Sequence, residues 1–273
     1  MTTSTQWQLA QDAAERYERV LVPAILGPAA GALVEWSRSS AGESVLDVGC
    51  GTGAAARFAA QRVGASGRVV GVDVNAGMLA VARSLSSETA IEWLEHSAYE
   101  LPFADGEFDV ALCAQTLQFL SDRPRALSEM HRVLKCGGRA VMSLWCELEA
   151  SPYFDALVRA MATHIGPETA AGLGAAFNLT DVGTIHGLLT AAGFEDVHAS
   201  VSSLVLDLPS PQEFVPRHVG ATPMAAGFAA ATEGAREAVV QDVAAQLATY
   251  ATDQGLRVPF RTHLMTGVRR SEV

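Results

Sequence analysis

Residues 45–60 have the sequence VLDVGCGTGAAARFAA, and this stretch decides the fold of the chain. An apolar run ends in three alternate glycines, Gly49, Gly51 and Gly53, and an alanine-rich helical stretch follows. The pattern predicts a buried strand, a tight turn and a helix, with glycines where a Cβ would keep a ligand away from the backbone. The same spacing satisfies the dinucleotide fingerprint G-x-G-x-x-G/A, so the loop alone does not identify the ligand.

Two acidic residues narrow the choice of ligand. Asp47 precedes the first glycine by two residues, where its charge would repel a pyrophosphate and attract an ammonium or sulfonium group. S-adenosylmethionine carries both cationic groups and no phosphate. Asp73 ends the next apolar run, RVVGVDV, at a position where a carboxylate accepts hydrogen bonds from ribose hydroxyls. The two carboxylates therefore predict an adenosine ligand and favour S-adenosylmethionine over a nicotinamide dinucleotide.

Apolar runs alternate with helical stretches from Ser44 onward. The predicted strands are SVLDV, RVVGVDV, AIEWL, FDVALC and RAVMSLW, with helices near 54–62, 76–85 and 123–134 between them. This alternation predicts an α/β, doubly wound, mostly parallel sheet that is covered on both faces. Two later runs, HASVSSLVLDL and VPFRTHLMTGVR, are further candidate strands.

The predicted organisation has three parts. Residues 1–40 form an N-terminal helical cap, and residues 41–208 with 255–273 form the α/β domain. Residues 209–254 form an inserted helical lid or acceptor-binding segment between the last two strands. Aromatic and apolar residues in 151–230, together with the cap, are expected to line a small-molecule pocket.

Four motifs, in order, resemble the class I S-adenosylmethionine-dependent methyltransferases. They are VLDVGCGTG, GVDVNAGML, LPFADGEFDVALCAQTLQFLSD and ALSEMHRVLKCGGR, and the likeness covers about residues 44–146. Among these enzymes the chain resembles the small-molecule group of quinone and natural-product methyltransferases, the methyltransferase type 11-like group. The resemblance implies a Rossmann-like seven-stranded sheet with a reversed final hairpin and S-adenosylmethionine at the carboxyl ends of the first strands.

The glycine loop and the resemblance together give a set of site residues. The resemblance implies that Gln115 touches the methionine end or the reacting centre, and that Ser97-Ala98 replaces an Asp-Ala pair common in the family at the adenine edge. The expected cofactor-binding residues are Tyr17, Asp47, Gly49, Gly51, Gly53, Asp73, Val74, Asn75, Met78, Ser97, Ala98, Tyr99, Gln115 and Gln118.

Composition limits the partners. A formal net charge of −11 disfavours nucleic acid, and neither an apolar run of membrane length nor a signal peptide is evident, so we expect no membrane partner and a cytoplasmic location. The four cysteines lack metal-finger spacing, and we expect free thiols and no metal. The expected partner is a small-molecule methyl acceptor; the sequence does not indicate an oligomeric state.

A general base is needed only if the acceptor must lose a proton. His218, in the inserted segment, is the candidate for that role. The leading hypothesis is O- or C-methylation of a secondary-metabolite or quinone-like molecule. The alternatives are a protein of the same fold that binds S-adenosylmethionine without transferring its methyl group, for example to assist a cyclisation, and a nicotinamide-dependent oxidoreductase.

Overall fold

The strands of this protein form one central sheet. The structure is a computed structural model, and it describes residues 11–86 and 90–270. The strands are β1 (Ser44–Val48), β2 (Arg68–Asp73), β3 (Ile91–Glu95), β4 (Phe108–Ala114), β5 (Leu134–Trp145), β6 (Glu195–Leu208), β7 (Ala251–Thr252) and β8 (Gly255–Val268). Each of the seven strands predicted from the apolar runs is therefore present.

The strand order is β3-β2-β1-β4-β5-β8-β6, and the two-residue β7 pairs with β8. Strands β1 to β5 pair in parallel, whereas β8 is antiparallel to both β5 and β6. Parallel strands are buried on both faces, which is why they appear in the sequence as continuous apolar runs. The predicted doubly wound, mostly parallel sheet with a reversed final hairpin is confirmed.

Some of the helices begin at a residue whose side chain caps them. Asn75, Asp122 and Asp181 each accept a hydrogen bond from the backbone N–H three residues later, over 3.0, 3.0 and 2.7 Å. The α-helices are α1 (Gln11–Leu21), α2 (Gly27–Trp36), α3 (Ala54–Val63), α4 (Ala76–Leu85), α5 (Arg123–Val133), α6 (Pro152–His164), α7 (Pro167–Gly174), α8 (Val182–Ala191), α9 (Pro211–Gly220), α10 (Ala225–Ala230) and α11 (Glu233–Gln246).

Adjacent residues of β1 belong to different hydrophobic cores. Val45 packs with Leu33 of α2 and Ala59 of α3, whereas Leu46 packs with Leu127 of α5 and residues of α8. Successive side chains of a strand point to opposite faces, so this sorting places one core on each side of the sheet. Helices on both faces bury the central strands and leave the carboxyl ends of the strands as the place where loops gather.

From Gln11 onward the N-terminal cap is a nearly continuous run of helix. A π-helical turn, Val22–Leu26, joins α1 to α2, and the run Ala13–Trp36 is long and apolar enough to cross a membrane by length and composition, a feature that the sequence analysis did not identify. Ile25 and Leu33 of this run are at most 1% exposed within two of the cores. Core helices of soluble proteins and N-terminal signal sequences pass the same test, and 39% of the apolar window is buried inside the structure.

The inserted segment 209–254 contains helices α9 to α11, as predicted, but it lies apart from the ligand cavities described below. Phe214, Met224 and Phe228 pack in a third core with α6, the end of β6 and the beginning of β8. These three side chains are 8% exposed or less. No residue of 209–254 lines either of the two ligand cavities in the described structure. These apolar side chains are used for packing, and the role of 209–254 as an acceptor-binding lid stays a prediction.

Candidate functional site

A cleft opens at the carboxyl ends of β1, β2 and β4. It encloses about 1230 Å³, including its mouth, and it is lined by the glycine loop, the loops after β2, β3 and β4, and the N-terminal cap. This is the position that the topology of a doubly wound sheet provides for ligands, because loops from neighbouring strands diverge there. We call this cleft the first cavity.

The glycine loop takes a backbone shape that other residues disfavour. Gly49, Gly51 and Gly53 have φ angles of 69°, 54° and 85°. A Cβ on Gly49 would stand 2.2 Å from Cγ2 of Thr116, and one on Gly53 would stand 2.2 Å from the Trp93 ring, whereas one on Gly51 would meet nothing within 4 Å. Gly49 and Gly53 are thus required for packing, and Gly51 keeps the space beside the loop open.

Asp47 lies beneath the glycine loop and does not reach the cavity wall. Its side chain is fully buried, and its Oδ2 accepts the N–H of Ala56 in the first turn of α3 over 3.0 Å. Burial raises its pKa to about 7, a rise that Asp73 adds to and that the Ala56 N–H and Arg57 oppose. Its Oδ1 has no hydrogen-bond partner among the described residues. The structure therefore places Asp47 beneath the loop, which it anchors to α3, and not on the ligand-facing wall where the sequence predicts it.

Asp73 lies on the cavity wall and shapes the loop at the same time. Its Oδ2 accepts the N–H of Gly51 over 2.8 Å, and its Oδ1 accepts the N–H of Asn75 over 2.9 Å. Burial raises the pKa of this carboxyl, and the hydrogen bonds from the backbone oppose the rise. A carboxylate has about four lone-pair sites, so Asp73 keeps acceptor capacity for a ligand.

The loop after β3 forms the side of the first cavity that the sequence predicted as the adenine edge. Ser97, Ala98 and Tyr99 all line the cavity, and Ser97 Oγ accepts the backbone N–H of Tyr99 over 3.1 Å. The Tyr99 hydroxyl accepts the N–H of Ser121 over 2.9 Å, and Arg125 Nε donates to the carbonyl of Tyr99 over 2.9 Å. These contacts fix the loop against the start of α5, so the wall is held in place before a ligand arrives.

Gln115 follows β4 in a strained conformation. Its φ angle is 53°, an unusual value for a residue with a side chain, and its N–H donates to the carbonyl of Ser143 over 3.0 Å. Backbone strain of this kind concentrates at functional sites. Gln118 is buried behind it and donates from Nε2 to Gln115 Oε1 over 3.4 Å, so Gln118 orients Gln115 and does not line the cavity.

The N-terminal cap closes over the loop through a charged link. Arg57 of α3 donates to Glu18 of α1 over 2.9 Å and to the carbonyl of Thr52 in the glycine loop over 2.5 Å. Tyr17, next to Glu18, lines the cavity, and burial together with the charges of Asp73 and Glu18 raises its pKa. The Tyr17 hydroxyl therefore stays protonated near neutral pH.

A second, smaller cavity, of about 480 Å³ including its mouth, adjoins the first. Tyr17, Leu26, Gln115 and Phe119 line both cavities, so the two spaces meet at these residues. The remaining lining residues of the second cavity are apolar or aromatic side chains of the cap, β5, α6 and the segment after α6: Leu21, Ile25, Trp145, Phe154, Leu173 and Ala176. The second cavity is suited to an apolar molecule.

His218 is not on the wall of either cavity. Its Nδ1 is hydrogen bonded to the Tyr153 hydroxyl over 2.8 Å, and its ring packs among Tyr153, Phe154 and Phe214. Burial lowers its pKa to about 3. The prediction of His218 as a general base facing the acceptor is corrected, because a base must reach the proton that it removes.

The structure brings most of the predicted site residues together. Asp47, Gly53, Gln118 and His218 lie outside the wall of the first cavity, whereas the following residues lie on it: Tyr17, Gly49, Gly51, Asp73, Val74, Asn75, Met78, Ser97, Ala98, Tyr99 and Gln115. Sequence reasoning missed Thr116, which packs on Gly49, and Trp145 of the second cavity. For Trp145 a signal was available, since it ends a predicted strand at the ligand-binding edge of the sheet.

Comparison with known proteins gives the middle of the chain a family likeness. Residues 46–142 match a family model described as "Methyltransferase domain". A 2-phytyl-1,4-naphtoquinone methyltransferase of Nostoc punctiforme is 42% identical over 113 residues, which are 40% of this chain and 49% of that protein. The chloroplastic 2-phytyl-1,4-beta-naphthoquinone methyltransferase of Arabidopsis thaliana is 43% identical over 112 residues, 39% of this chain and 43% of that protein. The matches thus span about half the length of these curated relatives or less.

Solved structures extend the likeness to almost the whole chain. A phosphoethanolamine N-methyltransferase 2 of Haemonchus contortus, solved with phosphomonomethylethanolamine and S-adenosylhomocysteine, aligns with a TM-score of 0.63 over 97% of this chain and 58% of that chain, at 18% identity. At this identity the match shows the fold. Residues 46–142 therefore match a methyltransferase domain, and the chain around them shares the α/β fold of this solved methyltransferase.

Proposed function

We propose that this protein transfers the methyl group of S-adenosylmethionine to a small, flat, apolar acceptor of the quinol type. The observation that carries the proposal is the pair of cavities that meet at Tyr17 and Gln115. One cavity is built on the glycine loop of a methyltransferase domain, and the other is apolar and aromatic. A cofactor and an acceptor held in adjoining spaces have the proximity that group transfer requires.

The residues of the first cavity fit this cofactor. Asp73 lies on its wall and Asp47 is buried under its loop, while no lysine or arginine lines it in the part of the chain that the structure describes. A pyrophosphate would meet the Asp73 carboxyl group on the wall, with Asp47 buried beneath the loop, and no basic side chain among the described lining residues. A ligand with a ribose and cationic groups is complementary to the same walls, and Gly51 leaves room for it beside the backbone.

Each wall has a distinct role in holding the cofactor. Asp73 would accept hydrogen bonds from ribose hydroxyls, and Ser97, Ala98 and Tyr99 would border the adenine. The loop containing Gly49 and Gly51 would hold the methionine part, with the negative charge of the ionised fraction of Asp47 beneath it. When bound, S-adenosylmethionine supplies a methyl group that its sulfonium already activates for in-line displacement.

The second cavity supports an aromatic acceptor. Phe119, Trp145 and Phe154 offer ring faces and edges, and the Trp145 ring is itself held edge-on by Phe154 at 4.5 Å between ring centroids. Offset and edge-to-face ring contacts stabilise flat guests. The two curated relatives reported above are named as methyltransferases of naphthoquinones. The lining of the second cavity agrees with an acceptor of that chemistry.

The chain's own residues orient the acceptor and exclude water. Gln115 Nε2 is buried and has no hydrogen-bond partner among the described residues, so it can donate to an oxygen of the acceptor. The second cavity has no Asp, Glu, His or Lys on its described wall, and the raised pKa of Tyr17 keeps that hydroxyl protonated. The acceptor therefore has to ionise by itself, as a quinol or an enol does, and the protein contributes positioning.

Ligand binding tests the cofactor assignment. In calorimetry, S-adenosylmethionine and S-adenosylhomocysteine should bind the wild type and NAD should not. Asp73→Ala should weaken binding by about 1–3 kcal/mol, the usual value for a hydrogen bond to a charged group. Asp253→Ala, at an exposed turn, is the matched control and should bind as the wild type does. Equal affinity in folded Asp73→Ala, or binding of NAD alone, would contradict the assignment.

A second candidate function is cofactor binding without methyl transfer. The observation in its favour is the lack of an ionisable base other than Tyr17 on the described wall of the second cavity. It predicts the same calorimetry and no movement of a labelled methyl group, so a transfer assay separates the two functions.

A further inference from the structure

A cluster of three side chains at the end of β5 has no part in the site described above. Cys146 follows the last residue of β5, and His263 lies on β8 opposite Leu144. Because side chains alternate along a strand, Leu144 and His263 share the face of the sheet opposite to Trp145. The cluster therefore lies behind the wall of the second cavity, on the other side of β5.

The three side chains converge on one point. The Cys146 sulfur, a Glu147 carboxylate oxygen and a ring nitrogen of His263 all lie within 4.8 Å of one another. Cys146 and His263 are 3% and 6% exposed, and Glu147 is exposed at the rim. Tetrahedral ligands around one ion lie about 3.3–3.7 Å apart at ordinary metal–ligand lengths of roughly 2.0–2.3 Å, so small side-chain movements would close the set.

His263 provides an independent indication of a ligand. Neither of its ring nitrogens has a hydrogen-bond partner among the residues that the structure describes, although both are buried. A buried polar group without a partner destabilises the folded chain, and an ion that is not part of the chain is one of the ordinary explanations. The imidazole therefore has a lone pair available at the point where the thiol and the carboxylate meet.

We propose that Cys146, Glu147 and His263 bind a divalent transition-metal ion, with Zn²⁺ as the best match. Thiolate sulfur, imidazole nitrogen and carboxylate oxygen are the ligands that Zn²⁺ takes in proteins, and a water molecule completes four-fold coordination. The role is structural, because the ion would fasten the loop after β5 to β8 behind Trp145. The proposal does not depend on the proposed function.

The charge balance of the site allows the ion. Burial, with the nearby charge of Glu147, raises the pKa of the Cys146 thiol to about 11, and Arg261 opposes that rise. A metal ion is bound by the thiolate form of cysteine, so binding exchanges a proton for the metal: Cys–SH and M²⁺ give (Cys–S–M)⁺ and H⁺. A thiolate and a carboxylate then neutralise the two positive charges of the ion. The carboxyl group of Asp181, whose lowered pKa has His263 among its lesser causes after hydrogen bonds from Thr184, lies in the same neighbourhood.

Cobalt absorption tests the site with the metal alone. The untagged full-length chain, stripped with a chelator, is titrated with Co²⁺ and then with Zn²⁺. We expect one equivalent of Co²⁺ to give thiolate charge-transfer and tetrahedral d–d bands, and Zn²⁺ to abolish them. Cys146→Ser and His263→Asn should remove the thiolate band or weaken Zn²⁺ binding at least tenfold, whereas Cys136→Ser and His198→Ala, both exposed positions, should leave both unchanged.

Two outcomes overturn the proposal. The first is the absence of a charge-transfer band in wild-type protein whose circular dichroism shows it to be folded. The second is a band that persists in Cys146→Ser or disappears in Cys136→Ser. Thermal unfolding without metal shows whether the variants fold, and Zn²⁺ should raise the melting temperature of the wild type and not that of folded His263→Asn.

Discussion

Replacing Gly49 and Gly51 by alanine, one at a time, should separate packing from binding in the glycine loop. Both residues have positive φ angles, 69° and 54°, so each substitution costs about 1–2 kcal/mol for the left-handed backbone. Only Gly49→Ala adds a collision, since its Cβ would stand 2.2 Å from Thr116 Cγ2. Overpacking of this kind costs about 1–3 kcal/mol. Gly49→Ala should therefore be the less stable variant by about that amount.

Urea unfolding measures the difference, provided that both variants keep the wild-type m value. Adding Thr116→Ala to Gly49→Ala removes Cγ2 and Oγ1 and leaves Cβ at 2.9 Å as the closest atom. The double-mutant cycle should give a favourable coupling of about 0.5–3 kcal/mol. Gly51→Ala serves as the matched control, because its methyl group meets nothing within 4 Å and Thr116→Ala should not rescue it.

For cofactor binding we expect the reverse order of the two variants, with Gly51→Ala showing the larger loss of affinity. Gly51 lines the first cavity with open space beside it, so Gly51→Ala should keep most of its stability and weaken S-adenosylmethionine about tenfold, which is about 1.4 kcal/mol. Equal stabilities of the two variants within 0.5 kcal/mol, or a cycle with no coupling, would refute the assignment of Gly49 to packing against Thr116.

Three further predictions concern protonation and the acceptor. Asp47 has a pKa of about 7, and a cationic cofactor should lower that pKa. Cofactor binding at pH 7 should therefore release part of a proton, which calorimetry in several buffers measures. Asp47→Asn should release none. The pKa of His218 is lowered to about 3, so its contribution to stability should be complete above pH 6.5 and lost as the pH falls toward 3. In acid unfolding, His218→Gln should flatten that loss of stability. The same variant should leave the pH profile of turnover unchanged. Trp145→Ala should raise the acceptor KM about tenfold in steady-state kinetics, because one hydrophobic contact surface is lost, and it should not change cofactor affinity. An unchanged KM would remove Trp145 from the acceptor site.

The fold could be predicted from the sequence because its signals are local. Parallel strands are apolar throughout, and the glycines mark the one turn where side chains do not fit, so the run from Val45 to Gly53 indicated strand, loop and helix. Most of the first cavity followed, since its wall consists of residues at or just after strand ends. Asp73, Asn75 and Gln115 are of this kind.

The errors concern direction and distant contacts. The distance of Asp47 from Gly49 along the chain predicts a position at the ligand, but strand alternation puts Asp47 on the same face as Val45, toward α3. There its carboxylate accepts the N–H of Ala56. His218 pairs with Tyr153, 65 positions away, and no local pattern announces that contact. The second cavity likewise combines the cap, Trp145 and α6, which only the tertiary structure brings together.

Transfer of a labelled methyl group tests the central claim most directly. The purified chain is incubated with methyl-labelled S-adenosylmethionine and a reduced 1,4-naphthoquinol that carries an apolar side chain. The account predicts that label moves to the quinol, that one S-adenosylhomocysteine forms for each methyl transferred, and that the pH dependence follows the ionisation of the acceptor, since no base but Tyr17 lies on the described wall of the second cavity. Saturated cofactor binding without any labelled quinol would contradict it.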